Sequence, residues 1–529
     1  MSTSLVAEFG GLDDDTAFPA ALTSRLLRYA VVGADPEMYT SIAPFTGKPA
    51  ARIPMSTEAD VEVAFDMARR AQRHWAARTA RDRARVLLRF HDLVLDRQSD
   101  GLDIAQLETG KARRDAFEEI ADCALNARYY GHAGPGIIDS RRRQGAFPVL
   151  TETTVHHHPK GIVGIISPWN YPLTMAATDA IPALLAGNGV VLRPDLQTTM
   201  SALWIVELLH QAGLPEGLFA VVPGEGATVG SWIVNRADYV MFTGSTRVGR
   251  VIAQQCAERL IGCSLELGGK NPLIVRADAD VEKAAEIVER AAFGNAGQLC
   301  VGSERILLHV DIADQFLATF IPRVDAMRLK ATVSWGADMG SLISAQQLAR
   351  VVAHVDDAVA LGARVLTGGR ALPEVGPYFY APTVLADITP EMRLCRDETF
   401  GPVAAIYQFS TDDEAVAMAN DSEFGLNAAI LTTDIATGRA MAARIQAGMV
   451  NINEAYGAAW GSISAPMGGM KSSGLGRRHG PEGLLKFTEP QTVAVQRGIG
   501  FGAAFGRSDE QWARLMTTAF RNLKRVRAK

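Results

Sequence analysis

Short apolar runs recur between residues 162 and 242, and each ends in a turn of small, polar or proline residues. The runs span residues 162–166, 190–192, 219–222 and 239–242. Amphipathic stretches separate them, so the pattern alternates strand, turn and helix. This alternation is typical of a parallel sheet that is covered by helices. The sequence therefore predicts an α/β fold with a Rossmann-type domain.

A second α/β region is expected from about residue 272 onward, and it carries Cys300. Apolar positions at helical spacing predict long helices in residues 58–97 and about 102–130. Residues 1–40, which are acidic around Asp13-Asp14-Asp15, are predicted to form an irregular arm. The remaining strand-like runs are 151–158, 305–310, 450–453 and 486–495.

Composition narrows the classes of function. The 529 residues are enough for more than one domain, and a net charge of −5 gives no case for nucleic-acid binding. The five cysteines show neither a metal-binding spacing nor a disulfide framework, which fits a reducing compartment. The chain shows no signal-peptide start and no apolar run of membrane-spanning length, so we expect a cytoplasmic protein.

The run His156-His157-His158 suggests a metal site at first sight. In a strand, however, adjacent side chains point to opposite faces of the sheet. Three consecutive histidines therefore cannot converge on one ion, and no metal site is predicted.

Three separate segments carry the groups that acyl chemistry needs. The stretch Gly294-Asn295-Ala296-Gly297-Gln298-Leu299-Cys300 presents a thiol after two glycines, residues 265–270 carry Glu266, and residues 167–172 carry Asn170. Each has an ordinary alternative, such as a buried structural cysteine or an ion pair between Glu266 and Lys270. Together they favour a nucleophile, a carboxylate base and an amide donor.

With these motifs in this order, the chain resembles the aldehyde dehydrogenase superfamily from about residue 40 to residue 500. Within it, the chain is most similar to bacterial enzymes labelled NADP-dependent succinate-semialdehyde dehydrogenases. The resemblance implies a cofactor domain, a catalytic domain and a β-extension that joins subunits into a homodimer or homotetramer. Its implied segments are 41–150 with 160–271 for the cofactor domain, 272–465 for the catalytic domain, and 151–159 with 486–498 for the extension.

The resemblance also implies roles in catalysis. Cys300 would attack an aldehyde, and the Asn170 amide with the Cys300 backbone N–H would hold the oxyanion. Glu266 would activate the water that hydrolyses the thioester, so the product would be a free carboxylate. Lys270 is expected to be structural or to orient a neighbour. A non-catalytic scaffold of the same fold is the alternative from another class.

The implied cofactor site lies on the turns that follow the strands. Gly244 to Gly249 follows a strand and opens a helix, whose N-terminus favours a phosphate, although the spacing is not the G-x-G-x-x-G fingerprint. The residues implied to bind the cofactor are Ile166, Ser167, Pro168, Trp169, Arg193, Asp195, Gly244, Ser245, Gly249, Glu266, Leu267, Gly268, Glu398 and Phe400.

Arg193-Pro194-Asp195-Leu196 bears on the choice of cofactor. Relatives that prefer NAD commonly read Lys-Pro-x-Glu here, and that glutamate repels a 2′-phosphate. Here the glutamate position is Leu196, and an arginine can clamp a phosphate. We therefore expect NADP to be preferred and NAD also to be accepted. The alternative is that Arg193 merely replaces lysine and Asp195 supplies the carboxylate.

The substrate is less well defined. Relatives specialised for succinate semialdehyde place arginines at the positions of Thr178 and Gly294, and Arg305 is not at a matching position. Succinate semialdehyde and a more apolar aliphatic or aromatic aldehyde both remain candidate substrates.

The C-terminal residues 507–529 are predicted to form a basic amphipathic helix after a glycine-rich joint. Two alternatives stay open: peripheral contact with an anionic membrane, or packing on protein. Its apolar stripe consists of Trp512, Leu515, Met516, Phe520, Leu523 and Val526.

Overall fold

The computed structural model describes residues 16–147 and 150–525. Twenty strands are assigned in this part of the chain. In chain order they are β1 (Met38–Ala43), β2 (Lys48–Pro54), β3 (Arg141–Gln144), β4 (Thr151–Pro159), β5 (Ile162–Ile166), β6 (Gly189–Arg193), β7 (Phe219–Val221), β8 (Tyr239–Thr243), β9 (Gly262–Glu266), β10 (Asn271–Val275), β11 (Ser303–His309), β12 (Arg364–Thr367), β13 (Thr383–Ala386), β14 (Val403–Phe409), β15 (Phe424–Gly425), β16 (Asn427–Leu431), β17 (Met449–Ile452), β18 (Met470–Lys471), β19 (Gly474–Leu475) and β20 (Thr488–Gln496).

Helices alternate with most of these strands, and two short 3₁₀ turns occupy Leu196–Thr198 and Gly294–Gly297. The α-helices are α1 (Ala20–Leu27), α2 (Glu58–Ala76), α3 (Ala80–Asp96), α4 (Gln98–Thr109), α5 (Arg113–Ile138), α6 (Pro172–Ala177), α7 (Ala180–Ala186), α8 (Thr199–Gln211), α9 (Gly226–Val234), α10 (Thr246–Glu258), α11 (Val281–Phe293), α12 (Ala313–Asp325), α13 (Ala345–Ala360), α14 (Arg393–Arg396), α15 (Asp412–Asn420), α16 (Ile435–Ala442), α17 (Gly457–Trp460), α18 (Gly480–Leu485) and α19 (Asp509–Arg525).

The first large sheet has six strands in the order β19-β9-β8-β5-β6-β7. All neighbours are parallel except β19, which pairs antiparallel to β9. Alternate residues of β5 enter two different cores: Val163 and Ile165 pack in one, Ile162 and Ile166 in the other. A strand buried on both faces must be apolar throughout, which explains the continuous apolar runs in the sequence. The predicted α/β fold is confirmed.

The second large sheet has seven strands in the order β12-β13-β14-β11-β10-β16-β17. Only β12 runs antiparallel to its neighbour. The 3₁₀ turn Gly294–Gly297 leads into β11, so Cys300 lies just before a central strand of this sheet. Glu266, in contrast, ends β9 of the first sheet. The two segments thus bring one group from each large sheet toward the same place.

A small antiparallel sheet, in the order β20-β4-β3, stands apart from both. Strand β20 pairs with β4 along its whole length, from Thr488 opposite Pro159 to Gln496 opposite Thr151. Beyond Thr488, every residue of β20 is exposed. The segments 151–159 and 486–498 therefore do meet in one sheet, while their role in oligomerisation remains a prediction. His156 and His158 lie on one face of β4, and His157 contacts Thr488 instead.

The expectation of an irregular arm over residues 1–40 is wrong between Ala20 and Leu27, which form α1. Phe18, Leu22 and Leu26 are fully buried at intervals of four residues, so the segment anchors itself in the core by an apolar stripe. Strand β1 also begins at Met38 and pairs with β2. Residues 1–15, with the acidic run at 13–15, lie outside the described residues.

The C-terminal segment forms helix α19, as its amphipathic pattern predicts. Trp512 is buried, and its Nε1–H donates a hydrogen bond to the Phe501 carbonyl at 3.0 Å. Phe147 contacts the rings of Phe501 and Phe520, with centroids 4.9 and 6.4 Å apart. Leu515 and Phe520 remain 42% exposed, so the stripe is only partly covered. Val526, Arg527 and Lys529 lie outside the described residues.

Candidate active site

A strained turn places Cys300. Asn295 and Ala296 have left-handed φ values of 51° and 53°, and both are buried. Gly297 has a φ of 70°, and a Cβ there would lie 2.0 Å from the Gly401 carbonyl oxygen. Only glycine avoids both the backbone strain of this φ and the steric clash of a Cβ at this position. The second glycine of the motif is thus required by the backbone, whereas Gly294 has an ordinary φ of −53°.

Cys300 lies where two concave spaces meet, and it lines both. The narrow cavity is lined by Glu118, Asp122, Asn170, Tyr171, Thr174, Met175, Thr178, Leu299, Cys300, Val301, Tyr456, Trp460, Met467, Arg478 and His479. The groove is lined by Pro168, Trp169, Asn170, Met175, Thr243, Gly244, Ser245, Glu266, Leu267, Gly268, Cys300, Gln347, Arg350, Glu398 and Phe400.

The resting thiol of Cys300 is protonated. Burial raises its pKa to about 12, and the carboxylates of Glu266 and Glu398 also raise it. The Arg478 guanidinium is the main opposing influence, because a nearby positive charge favours the thiolate. A thiolate here therefore needs a proton acceptor and a nearby cation.

Asn170 is held from two sides by contacts that sequence reasoning missed. Lys111 Nζ and Asn295 Nδ2 donate to its backbone carbonyl at 2.7 and 3.1 Å. Its own Nδ2 donates to the Gln298 carbonyl at 3.1 Å, two residues before Cys300. These bonds fix the amide at the junction of the cavity and the groove.

Lys111 itself belongs to a buried ion pair with Glu119, with Nζ and Oε1 at 2.5 Å and neither side chain exposed. The other oxygen of Glu119 accepts the N–H groups of Leu173 and Thr174 at 2.8 and 3.2 Å. The pair thus ties helices α5 and α6 to the Asn170 segment. A lysine between a glycine and an alanine carries no motif that would have revealed this role.

Glu266 lies at the end of β9, and its Oε1 is buried without a hydrogen-bond partner among the described residues. Burial raises its pKa to about 7. Lys270 does not pair with it but with Glu304, at 2.5 Å. Glu304 in turn accepts the N–H groups of Thr399 and Phe400. The ordinary ion pair that was the alternative for Glu266 is therefore not formed, and Lys270 orients the 399–400 turn.

Most of the predicted cofactor residues converge on the groove: Pro168, Trp169, Gly244, Ser245, Glu266, Leu267, Gly268, Glu398 and Phe400. Trp169 and Phe400 meet edge to face with ring centroids 5.5 Å apart. Glu398 accepts the Gly269 N–H at 2.8 Å, and a Cβ on Gly268 would lie 2.6 Å from its carboxylate. Ser245 caps helix α10 through its hydroxyl, which accepts the Val248 N–H. The positive end of α10 faces the groove.

The other five predicted residues do not line the groove. Ile166 is a core residue of β5, and Ser167 donates its backbone N–H to the Arg193 carbonyl at 3.0 Å. A Cβ on Gly249 would lie 2.5 Å from Leu267, so this glycine allows close packing of α10. In this structure Ile166, Ser167 and Gly249 make backbone or packing contacts and do not line the groove. Arg193 lies at the end of β6, and Asp195 follows it two residues later.

Arg193 ends β6 and is 7% exposed. Its Nε donates to the Gly224 carbonyl at 2.8 Å, and its Nη1 lies 3.7 Å from Asp195. A Cβ on Gly226, the first residue of α9, would lie 3.4 Å from its Nη2. A guanidinium thus sits beside the N-terminus of a helix, and both favour a phosphate. Leu196 is buried and adds no charge.

Of the residues considered for substrate binding, only Thr178 lines the narrow cavity. Arg305 is buried elsewhere and donates to the carbonyls of Lys270, Met418 and Ala419. The cation that does line the cavity is Arg478, which sequence reasoning missed. Its Nε and Nη2 lie 3.0 and 2.6 Å from Asp179 Oδ2.

Two negative findings concern the described ranges 16–147 and 150–525. No helix there is long and apolar enough to cross a membrane. No group of three or more histidine, cysteine, aspartate or glutamate side chains is placed to hold a metal ion in these ranges.

Comparison with known proteins gives a consistent result. A protein of Mycolicibacterium smegmatis, named as a putative NADP(+)-dependent succinate-semialdehyde dehydrogenase, is 52% identical over 482 residues, which cover 91% of this chain and 93% of that protein. The structure of an NAD-dependent aldehyde dehydrogenase from Sinorhizobium meliloti superposes with a TM-score of 0.85 at 33% identity, covering 90% of this chain and 94% of that one. An NADP-dependent enzyme of E. coli gives a TM-score of 0.84 at 33% identity, covering 89% and 99%. The sequence profile of the aldehyde dehydrogenase family matches residues 31–493, and the chain belongs to that family.

Proposed function

We propose that the protein oxidises an aldehyde to a carboxylate through covalent intermediates on Cys300, with NADP as the preferred acceptor. The observation that carries the proposal is the meeting of Cys300, Asn170 and Glu266 where the narrow cavity joins the groove. A scaffold protein has no chemical need for a thiol, an amide donor and an unpaired carboxylate at one point.

The first step forms a bond between the Cys300 sulfur and the aldehyde carbon. The thiol proton passes to solvent, so Glu266, whose pKa is raised to about 7 by burial, remains free to accept a proton from water in the later step. The Asn170 amide has a second hydrogen besides the one it donates to Gln298, and this hydrogen and the Cys300 N–H stabilise the oxyanion. Arg478 favours the thiolate before the attack.

Oxidation of the thiohemiacetal to a thioester requires a hydride acceptor, which a dinucleotide held in the groove by Glu398 and the N-terminus of α10 would supply. Glu266 then takes a proton from water, the water oxygen bonds to the acyl carbon, and the carbon–sulfur bond breaks. The products are a carboxylate and the thiol of Cys300.

The groove fits a dinucleotide by its own features. The N-terminus of α10 offers a positive end to a pyrophosphate, and Glu398 offers a carboxylate to ribose hydroxyls. Arg193 beside the start of α9 supports binding of a 2′-phosphate, and the buried Leu196 has no charge to repel it. One relative is named as NADP(+)-dependent and another as NAD-dependent, so NAD is proposed as a second acceptor.

The name of the Mycolicibacterium relative supports succinate semialdehyde as the substrate. A more apolar aldehyde is the second candidate, because Thr178 and Gly294 stand where specialised relatives have arginines. Comparing kcat/KM for succinate semialdehyde with that for medium-chain and aromatic aldehydes separates the two.

Two variants test the chemistry together. Cys300→Ala should abolish NADPH formation, whereas Glu266→Gln should form the thioester and fail to hydrolyse it. Intact-protein mass spectrometry after mixing with aldehyde and NADP should show added acyl mass in Glu266→Gln and none in Cys300→Ala. Full turnover by Cys300→Ala, or no added mass in Glu266→Gln, would refute the assignment.

We further propose a cytoplasmic homo-oligomer built through the exposed strand β20, because an unpaired strand edge invites pairing. For the tail, packing on protein is the better supported alternative, since Trp512 is already buried. Sedimentation with anionic vesicles, comparing the full chain with one that ends at Gly506, tests membrane contact. If both chains bind the vesicles equally, the C-terminal tail does not mediate membrane contact.

A further inference from the structure

The wall of the narrow cavity contains four buried side chains that each have one polar atom without a hydrogen bond to a described residue. Asp122, Thr174, Thr178 and His479 are each at most 5% exposed and all line the cavity. Asp122 Oδ2, Thr174 Oγ1, Thr178 Oγ1 and His479 Nδ1 make no hydrogen bond to any described residue. The other oxygen of the Asp122 carboxyl, Oδ1, accepts a hydrogen bond from Asn126 Nδ2 at 3.0 Å. Buried polar groups are normally hydrogen-bonded. Four unsatisfied groups around one cavity therefore point to a polar ligand that satisfies them.

The backbone at this wall is also strained. His479 has a φ of 58° and a ψ of 173°, a conformation that favours glycine. Burial lowers the pKa of its imidazole to about 3, so the ring is neutral. Strain of this kind persists where the surrounding structure holds a residue in place, and it concentrates at functional sites.

The charge next to this wall is positive. Asp179 accepts two bonds from Arg478 and lies 3.3 Å from Lys486 Nζ, so two cations share one carboxylate. Arg478 Nη2 also donates to Thr243 Oγ1 at 2.6 Å, while Nη1 has no hydrogen-bond partner among the described residues. Arg478 therefore offers an unpaired donor and excess positive charge to the cavity.

Asp122 is an uncharged donor at neutral pH. Burial raises its pKa to about 8; Glu119 and Asp179 also raise it, and Arg478 lowers it. Thr174 lies next to this carboxyl without a hydrogen bond of good geometry. Below pH 8 the wall thus presents hydroxyl donors, a carboxylic acid and a guanidinium, which is a set suited to an anion. Among the described residues, the one other carboxylate that lines the cavity is Glu118, which accepts hydrogen bonds from Arg290 and from the hydroxyls of Tyr171 and Tyr456.

We propose that Asp122, Thr174, Thr178 and Arg478 form a subsite for the distal carboxylate of a short aldehyde acid. The subsite rests on the proposed function, since it presupposes that the aldehyde end meets Cys300. It takes over the task of the two arginines that are absent at Thr178 and Gly294. The end of an alkyl chain would leave all of these polar atoms unpaired, which favours the acid over an apolar aldehyde.

The experiment compares succinate semialdehyde with butanal, an uncharged aldehyde of equal length, in the full-length enzyme with NADP. Thr174→Val and Thr178→Val remove one hydroxyl each at nearly constant volume. Each should lower kcat/KM for succinate semialdehyde by roughly tenfold, mainly through KM, because a hydrogen bond to a charged group is lost. The kcat/KM for butanal should stay within about twofold of the native value. Thr174→Ser and Thr178→Ser should restore kcat/KM for succinate semialdehyde.

Thr198→Val is the matched control. Thr198 is also a buried threonine with an unpartnered hydroxyl, but it does not line the cavity, so neither substrate should be affected. Equal losses on both substrates, or no loss on succinate semialdehyde, would overturn the subsite. If the native enzyme oxidises butanal but not succinate semialdehyde, the subsite fails and the proposed function stands. If it oxidises neither, the proposed function itself fails.

Discussion

The groove and the narrow cavity meet at Cys300, yet they are built from different kinds of sequence. The groove is formed largely by turns at the ends of strands, such as 167–170, 243–245 and 266–268, together with the 398–400 turn. The cavity draws Asp122 from the middle of a long helix and Arg478 from a segment more than 350 residues away. Turn motifs are continuous in sequence, whereas the cavity wall is assembled only by folding.

The groove and the narrow cavity also differ in their ionisable groups. Around the groove, the ionisable groups that matter are carboxylates, and burial raises the pKa of both Glu266 and Glu398 to about 7. At the cavity wall, a buried cation cluster dominates, and Asp122 stays protonated to about pH 8. The first region suits proton transfer near neutral pH, and the second suits binding of an anion.

The largest effect is expected from Lys111→Met, which breaks the ion pair behind the cavity. Glu119 would be left buried and unpaired, so the free energy of unfolding should fall by about 3–5 kcal/mol. Thermal or urea unfolding measures this. Arg364→Ala, which breaks an exposed pair with Asp387, is the control and should cost less than about 1 kcal/mol. If both variants lose a similar free energy of unfolding, the buried ion pair contributes no more to stability than the exposed one.

Gly297→Ala should damage the groove and the cavity together, because this turn places Cys300. A Cβ would approach the Gly401 oxygen to 2.0 Å at a φ of 70°, so the variant should lose more than about 1 kcal/mol of stability. A displaced nucleophile should also lower kcat by about 100-fold. Gly294→Ala has an ordinary φ and one contact at 3.4 Å, so it should retain most activity. If the two variants behave alike, the geometry of the turn is not what positions Cys300.

Leu196→Glu should affect the choice of cofactor alone. A carboxylate near Arg193 would repel a 2′-phosphate, so kcat/KM for NADP relative to NAD should fall by about tenfold. The ratio of succinate semialdehyde to butanal activity should not change. A native enzyme that already prefers NAD tenfold would contradict the cofactor assignment.

The smallest expected effect is the change with pH of the KM for succinate semialdehyde, which depends on the cavity alone. The pKa of Asp122 is raised to about 8, so the carboxyl is neutral below this pH and negative above it. KM for succinate semialdehyde should therefore rise several-fold between about pH 7 and pH 9, while KM for butanal should not follow it. Asp122→Asn should remove the difference. An identical pH dependence for both aldehydes would assign the change to another group.

The same contrast explains what could be predicted from sequence. The apolar runs of β5 and β8 revealed the parallel sheet, because a strand buried on both faces leaves no polar position. Glu266 and Asn170 could be predicted as candidates because Glu266 ends β9 and Asn170 follows β5, whereas Cys300 was predicted from the glycine-rich turn that precedes it. Nine of the predicted cofactor residues line one groove for the same reason.

Lys111, Glu119 and Arg478 could not be found in this way. A charged residue is expected on the surface, and only a complete tertiary structure shows that its partner is buried with it. Helix α1 was missed for a related reason: its stripe of Phe18, Leu22 and Leu26 is short, and its partners lie far along the chain in α8.

The partly buried thiol of Cys300 has a consequence for the survival of the enzyme between turnovers. Oxidants and alkylating agents react with thiolates, and a pKa near 12 leaves almost none at neutral pH. The resting nucleophile should therefore resist sulfenic acid formation and iodoacetamide, while exposed thiolates in other proteins are consumed. The same burial that keeps the free thiol protonated should therefore also slow its oxidation.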